Sequence, residues 1–181
     1  MNRWAMLAIA ILLMTGCQQT AKQPEEGETT TKMKITDPLV YDATIIAELT
    51  HVNHGLSGIL DQISASDSLG ILREYQATKQ LLDKGIQTLN TLPPLNDNTA
   101  YRDAGLKIMQ FHRNAMDNQY QRIVEISVKK KPSNREEEER ETLYEQMENI
   151  EEGLDARFFK IRDQFGKQNN IQLPAGGDLK L

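Results

Sequence analysis

Cysteine, histidine and aromatic residues are scarce in this 181-residue chain, which has one cysteine, three histidines and 6% aromatic side chains. The lone cysteine, Cys17, has no partner for a disulfide within the chain and leaves no Cys-x-x-Cys pair for zinc, thiol redox chemistry or covalent haem attachment. Gly-rich phosphate loops, a nucleophile elbow and zinc-ligand spacings are missing too. No apolar run approaches the roughly 20 residues of a membrane-spanning helix, and no stretch alternates with the period-two pattern of a strand. Basic residues are outnumbered, 21 Lys and Arg against 26 Asp and Glu, for a net charge of −5. Nucleic acid and anionic lipid both demand a basic face, so neither is an expected electrostatic partner. These absences point away from an enzyme and name no catalytic residue and no cofactor.

What is present is a globular composition, 39% hydrophobic and 26% charged. The chain opens Met1-Asn2-Arg3, continues with an apolar run from Trp4 to Met14, and reaches Thr15-Gly16-Cys17. A short basic start, a brief apolar core and small residues before a cut site are the pattern of a secretory signal, here residues 1–16. Met14-Thr15-Gly16-Cys17 resembles the lipobox of bacterial lipoproteins, with Met where Leu is usual. The resemblance implies a Cys17 that is fatty-acylated, palmitate included, and becomes the mature N-terminus. Several acyl chains, each contributing about 0.8 kcal/mol per buried methylene, anchor stably where one chain does not. Gln18, rather than Asp, follows the cysteine; the lipoprotein sorting pattern then implies an exported protein held on the outer membrane of a two-membraned cell. Removing the signal leaves 165 residues, the size of one domain with tails.

Residues 17–36 hold almost no large apolar side chain and read as the lipidated cysteine and a disordered tether. Asp37-Pro38 then caps a first helix whose face carries Ile45, Leu49, Val52, Leu56, Ile59 and Ile63, ending about Ser64. Gly55 and Gly58 inside it mark a close approach of a neighbour or a bend. A second helix carries Leu72, Tyr75, Leu82, Ile86 and Leu89 and stops at Pro93-Pro94. Asn96 to Thr99 offer caps for a third, carrying Leu106, Met109, Met116, Tyr120, Ile123 and Val124 and ending at Lys129-Lys130-Lys131 before Pro132. Ser133-Asn134-Arg135-Glu136 fits a capping box for a fourth with the seam Leu143, Met147, Ile150, Leu154, Phe158, Ile161 and Phe165. The fold expected is all-α: an antiparallel up-down-up-down four-helix bundle over residues 37–170, with a C-terminal tail at 171–181.

Candidate ligands are few. Glu48 and His51 form one Glu-x-x-His pair, half of the set that di-metal bundles use. His112 falls between Met109 and Met116 on the inward face of the third helix, as in bundles that hold haem through Met and His. The competing reading makes His112 a core histidine bonded to Tyr75 or a backbone carbonyl, with the methionines filling core gaps. Ten acidic side chains between 133 and 155 read as a solvated helix face whose first charges suit the helix dipole. Phe159 falls on the outer side of the fourth seam and is either packed on the first helix or exposed at a partner surface.

Tyr101-Arg102-Asp103-Ala104, Gln110-Phe111, Tyr120 to Ile126 and Leu154-Asp155 through Phe165 are similar to a family of uncharacterised bacterial surface lipoproteins with an all-helical domain. The resemblance spans residues 37–170 and implies the lipoprotein address and the helical fold, with no activity to carry over. A lipid-anchored envelope module that binds another envelope protein or serves a structural role is therefore the expectation; a metal- or haem-binding bundle is the alternative.

Overall fold

The structure, a computed structural model, describes residues 35–174. The expected signal at 1–16, Cys17, the expected tether up to residue 34 and the tail from 175 onward lie outside the described residues. Within them the chain is all-helical: α1 Pro38–Ser64, α2 Ser68–Thr91, α3 Ala100–Met116, α4 Gln119–Ser127 and α5 Asn134–Gln168. No strand occurs among the described residues, and none of their helices is long and apolar enough to cross a membrane.

Local chemistry sets most of the helix ends. Asp37 Oδ1 accepts from the Leu39 N–H at 2.8 Å with Pro38 in the first turn, and Asp67 Oδ1 accepts from Gly70 N–H at 3.1 Å to start α2. Ser133 and Glu136 close the capping box in both directions at the start of α5. Both α1 and α5 end on a residue with positive φ, Ser66 at 55° and Asn170 at 53°. The next N–H then reaches back five residues, from Asp67 to Gln62 O at 3.1 Å and from Ile171 to Gly166 O at 3.0 Å, filling carbonyls the helix leaves open.

The third helix departs from expectation: instead of one element from Thr99 to Lys131 there are two. Asn118 leaves helical geometry at φ −130°, ψ −87°, while the Asp117 and Asn118 N–H groups bond three residues back, to Asn114 and Ala115. The cause is side-chain competition for the backbone, because Asn118 Nδ2 donates to Asn114 O at 2.7 Å. The Met116 carbonyl, at the end of α3, accepts the Tyr75 hydroxyl in a buried 2.6 Å bond. Asp117 is pinned by Lys79 at 2.6 Å and also pairs with Arg113.

The seams also shift. On α2 the buried face is Ile71, Tyr75, Thr78, Leu82, Gly85 and Leu89, and Leu72 is 45% exposed. Leu72 is one residue, about 100°, from Ile71, and the steps of four and three from Ile71 carry the stripe without it. Gly55 permits the close contact expected of it, since a Cβ there would sit 2.7 Å from Thr78 Oγ1 on α2. On α5 the fully buried set is Met147, Phe158, Arg162, Phe165 and Gly166, whereas Ile150 is 47% exposed. The packed region extends past both expected limits: Ile35 is buried, and Ile171 and Leu173 pack against the core.

At one end of the core a buried ion pair joins the first and last helices. Arg162 donates to Asp42 Oδ1 at 2.7 Å and Oδ2 at 2.9 Å, and the Tyr101 hydroxyl of α3 donates to Asp42 Oδ1 at 2.6 Å. Around it stack Tyr41 on Phe165, with centroids 5.7 Å apart, and Tyr101 on Phe165 at 4.8 Å. Burial and then the Asp42 bond hold the Tyr101 hydroxyl protonated well above its ordinary range. Removing the carboxylate strands a buried guanidinium, which typically costs about 3–5 kcal/mol. Asp42→Ala is accordingly expected to lose stability on that scale in urea unfolding; a loss under about 1 kcal/mol would show that the pair does not hold α1, α3 and α5 together.

Candidate functional site

Two places bring chemistry-bearing side chains together. The first lies between α3 and α5. His112 is 4% exposed, with the Phe111 ring edge-on at 5.2 Å, and its Nδ1 lies 3.3 Å from Glu151 Oε1 without hydrogen-bond geometry. The other face of its surroundings, Leu49, Val52, Asn53, Leu56 and Ile108, leaves a cavity of about 10 Å³, room for about one water molecule. Burial alone lowers the His112 pKa to about 4. Burial, then the carboxylates of Asp155 and Glu148, push Glu151 up to about 7, and burial raises Asp155 to about 6. The proximity of His112 and Glu151 does not produce a charged pair here, because desolvation acts on both and disfavours the charged form of each. From about pH 4 to about pH 7 the two groups together carry one proton.

The other predicted ligands sit apart from this pair. Met109 is fully buried with its sulfur against Gly85: a Cβ added there would lie 3.1 Å from that sulfur and 3.5 Å from Glu48 Oε2. Met116 is fully buried and engages Tyr75 through its carbonyl, so Tyr75 is not the partner of His112. His51 is exposed on the outer face of α1. Among the described residues no three His, Cys, Asp or Glu side chains converge as a ligand set.

The second place is an open cleft of about 540 Å³ at the C-terminal end of α5. Asn170 turns the chain back over the helix, Leu173 settles on Gly166, and Arg162 Nη1 donates to Pro174 O at 3.0 Å. Phe159, half-buried and edge-on to Phe158 at 5.5 Å, forms one wall; Ile171, Leu173 and Pro174 form the other. The exposed pair Asp163 and Lys167, 2.5 Å apart, lies along the rim and balances its charge. Phe159 thus packs partly on the core and faces solvent across the cleft.

Sequence reasoning missed Asp42, Tyr101, Arg162 and Glu151. A usable signal existed on α5. Met147, Glu151, Leu154, Phe158, Arg162 and Phe165 recur at steps of four and three, so a carboxylate and a guanidinium interrupt an otherwise apolar face. No family model, no curated protein and no solved structure matches the chain.

Linkage gives opposite signs for the pair. His112 is deprotonated more easily folded than unfolded, so its contribution is lost as pH falls from 6.5 through about 4. Glu151 is protonated more easily folded, so its contribution is present below 4.5 and is lost as pH rises through about 7. Between pH 4.5 and 6.5 these contributions are each on the order of 2 kcal/mol and largely offset. His112→Leu removes one of them. Its stability, followed by urea midpoints from pH 4.5 to 6.5, is expected to fall with rising pH more steeply than that of the wild type; parallel curves would refute the assignment.

Proposed function

We propose that this chain is a lipid-anchored lipoprotein of a bacterial envelope, of the uncharacterised helical surface type, whose domain acts by protein–protein contact at the cleft beside Phe159. The connections at 65–67, 92–99 and 128–133 are short, which favours an antiparallel up-down-up-down bundle with α3 and α4 in line as its third member. The address rests on Met14-Thr15-Gly16-Cys17 and on the chain's single cysteine. The observation that carries the mode of action is the cleft itself. An aromatic wall opposes an apolar extended segment, the volume lies within the usual range for bound groups, and the rim is charge-balanced. Aromatic anchors of this kind contribute heavily to protein interfaces. The partner in this reading is another envelope protein that places an apolar side chain against Phe159.

The two halves of the proposal separate experimentally. Cys17→Ala is expected to accumulate as unprocessed precursor and to leave the detergent phase on fractionation; normal membrane retention of that variant would sink the anchor. Crosslinking in intact cells, read by mass spectrometry, is expected to capture an envelope protein with the wild type and to lose it with Phe159→Ala. Because Phe159 is half-buried, the variant's helical content and melting must be shown to be near wild type before its loss of crosslink counts.

A further inference from the structure

We propose that Glu151, seated against the buried His112 midway along α5, is a proton-operated latch that holds the first half of α5, residues 134–150, onto α3 and α4. The placement of the groups carries this. Upstream of Glu151 the helix fully buries one side chain, Met147, with Leu143 and Tyr144 packing partly; downstream it buries Phe158, Arg162 and Phe165. The other ionic ties of the upstream half to α4 and the segment after it are Arg122 with Glu139 at 2.7 Å and with Glu136 at 4.0 Å, and Lys129 with Glu136, all between side chains 20–45% exposed. Pairs of that kind add little to stability. Two residues beyond Glu151 stands Gly153, where an added Cβ would meet nothing within 4 Å, so no packing demands glycine there. A glycine inside a helix weakens it, and this one marks the junction between the sparsely and the well-buried halves.

The titratable groups facing the pair are Tyr120 from α4 and Tyr144, Glu148 and Asp155 from α5, while α1 presents Asn53 and aliphatic side chains to the His112 ring. The charges that act on Glu151 are the carboxylates Asp155 and Glu148, and His112 is neutral above about pH 4. Protonated, Glu151 sits in its half-buried position as a neutral acid. Ionised near and above neutral pH, it adds a third like charge to one strip of α5, on which no cation among the described residues acts, and the strip is relieved by moving toward water. The latch is closed in mildly acidic surroundings and released in alkaline ones.

Hydrogen exchange on the full chain at steps of about half a pH unit from pH 6.0 to 8.5, corrected for intrinsic rates, tests this. Protection of amides 134–150 is expected to fall roughly tenfold in the wild type at pH 8.5, while amides of α1 from Ile45 to Ile59 keep theirs. Glu151→Gln, nearly isosteric and half-exposed, is expected to retain its pH 6.0 protection at pH 8.5, and Asp155→Asn to lower the midpoint of the transition. Equal protection of the wild type at pH 6.0 and 8.5, the same loss in Glu151→Gln, or an unmoved or raised midpoint in Asp155→Asn would each overturn the latch.

Discussion

A carboxylate on the first helix and a guanidinium on the last, 120 residues apart, set the frame on which the other contacts of this domain are built. Asp42 accepts two bonds from Arg162 and a third from Tyr101, so one side chain ties α1, α3 and α5. Taking the two charges out of water costs several kcal/mol each, and only such bidentate, fully bonded geometry offsets it. Removing one member strands the other charge, whereas replacing both by apolar side chains of like volume is often neutral. The same guanidinium reaches Pro174 O and holds the returning chain that shapes one wall of the cleft. The geometry of the surface we assign to a partner thus depends on a bond made inside the core.

Along α5 the inward face changes character from end to end. Near Asn169 it is aromatic and closed, with Phe158 and Phe165 packed on Tyr101. At the middle it becomes acidic, where Glu151 and Asp155 are partly withdrawn from water beside His112. Toward Ser133 it is sparsely buried and held by surface ion pairs that salt screens. A helix of 35 residues with such a gradient has unequal local stability along its length, and local opening draws on the weak end. α4, set off from α3 by the break at Asp117-Asn118, meets this weak end through the pair of Arg122 with Glu139.

The two sites differ in what they offer. His112 and Glu151 meet at 3.3 Å, and the small cavity on the α1 side of the His112 ring has room for about one water. The cleft at Phe159 is open to solvent, apolar on both walls and rimmed by a balanced pair of charges. Glu151 of the interior pair and Phe159 of the outer cleft both lie on α5, eight residues apart.

Periodicity and capping, both local, were enough to place α1 and α5 nearly to the residue, because Asp37 and Ser133 satisfy backbone groups within their own turn, and the double proline marks where α2 stops; its cap, Asp67, was not singled out. Local chemistry also explains the break at Asn118, but the apolar stripe runs through it unbroken, so the pattern of Met116, Tyr120 and Ile123 concealed it. The partners of Asp42, His112 and Arg162 could not be read in this way. Each lies on an apolar face whose period marks it only as inward, and what it meets depends on the rotation and depth at which separate helices pack. The resemblance of Met14 to Cys17 to a lipobox needs no fold to be seen, and the address we propose rests on it and on the single cysteine. The cleft exists only because the chain doubles back onto Gly166, and the pairing of His112 with Glu151 only because α3 and α5 meet at that height. Interactions a few residues long, legible in the chain, set most of the helices and their inward faces; tertiary packing settled which polar side chains on those faces meet, because the contacts His112–Glu151 and Asp42–Arg162 join residues 39 and 120 positions apart.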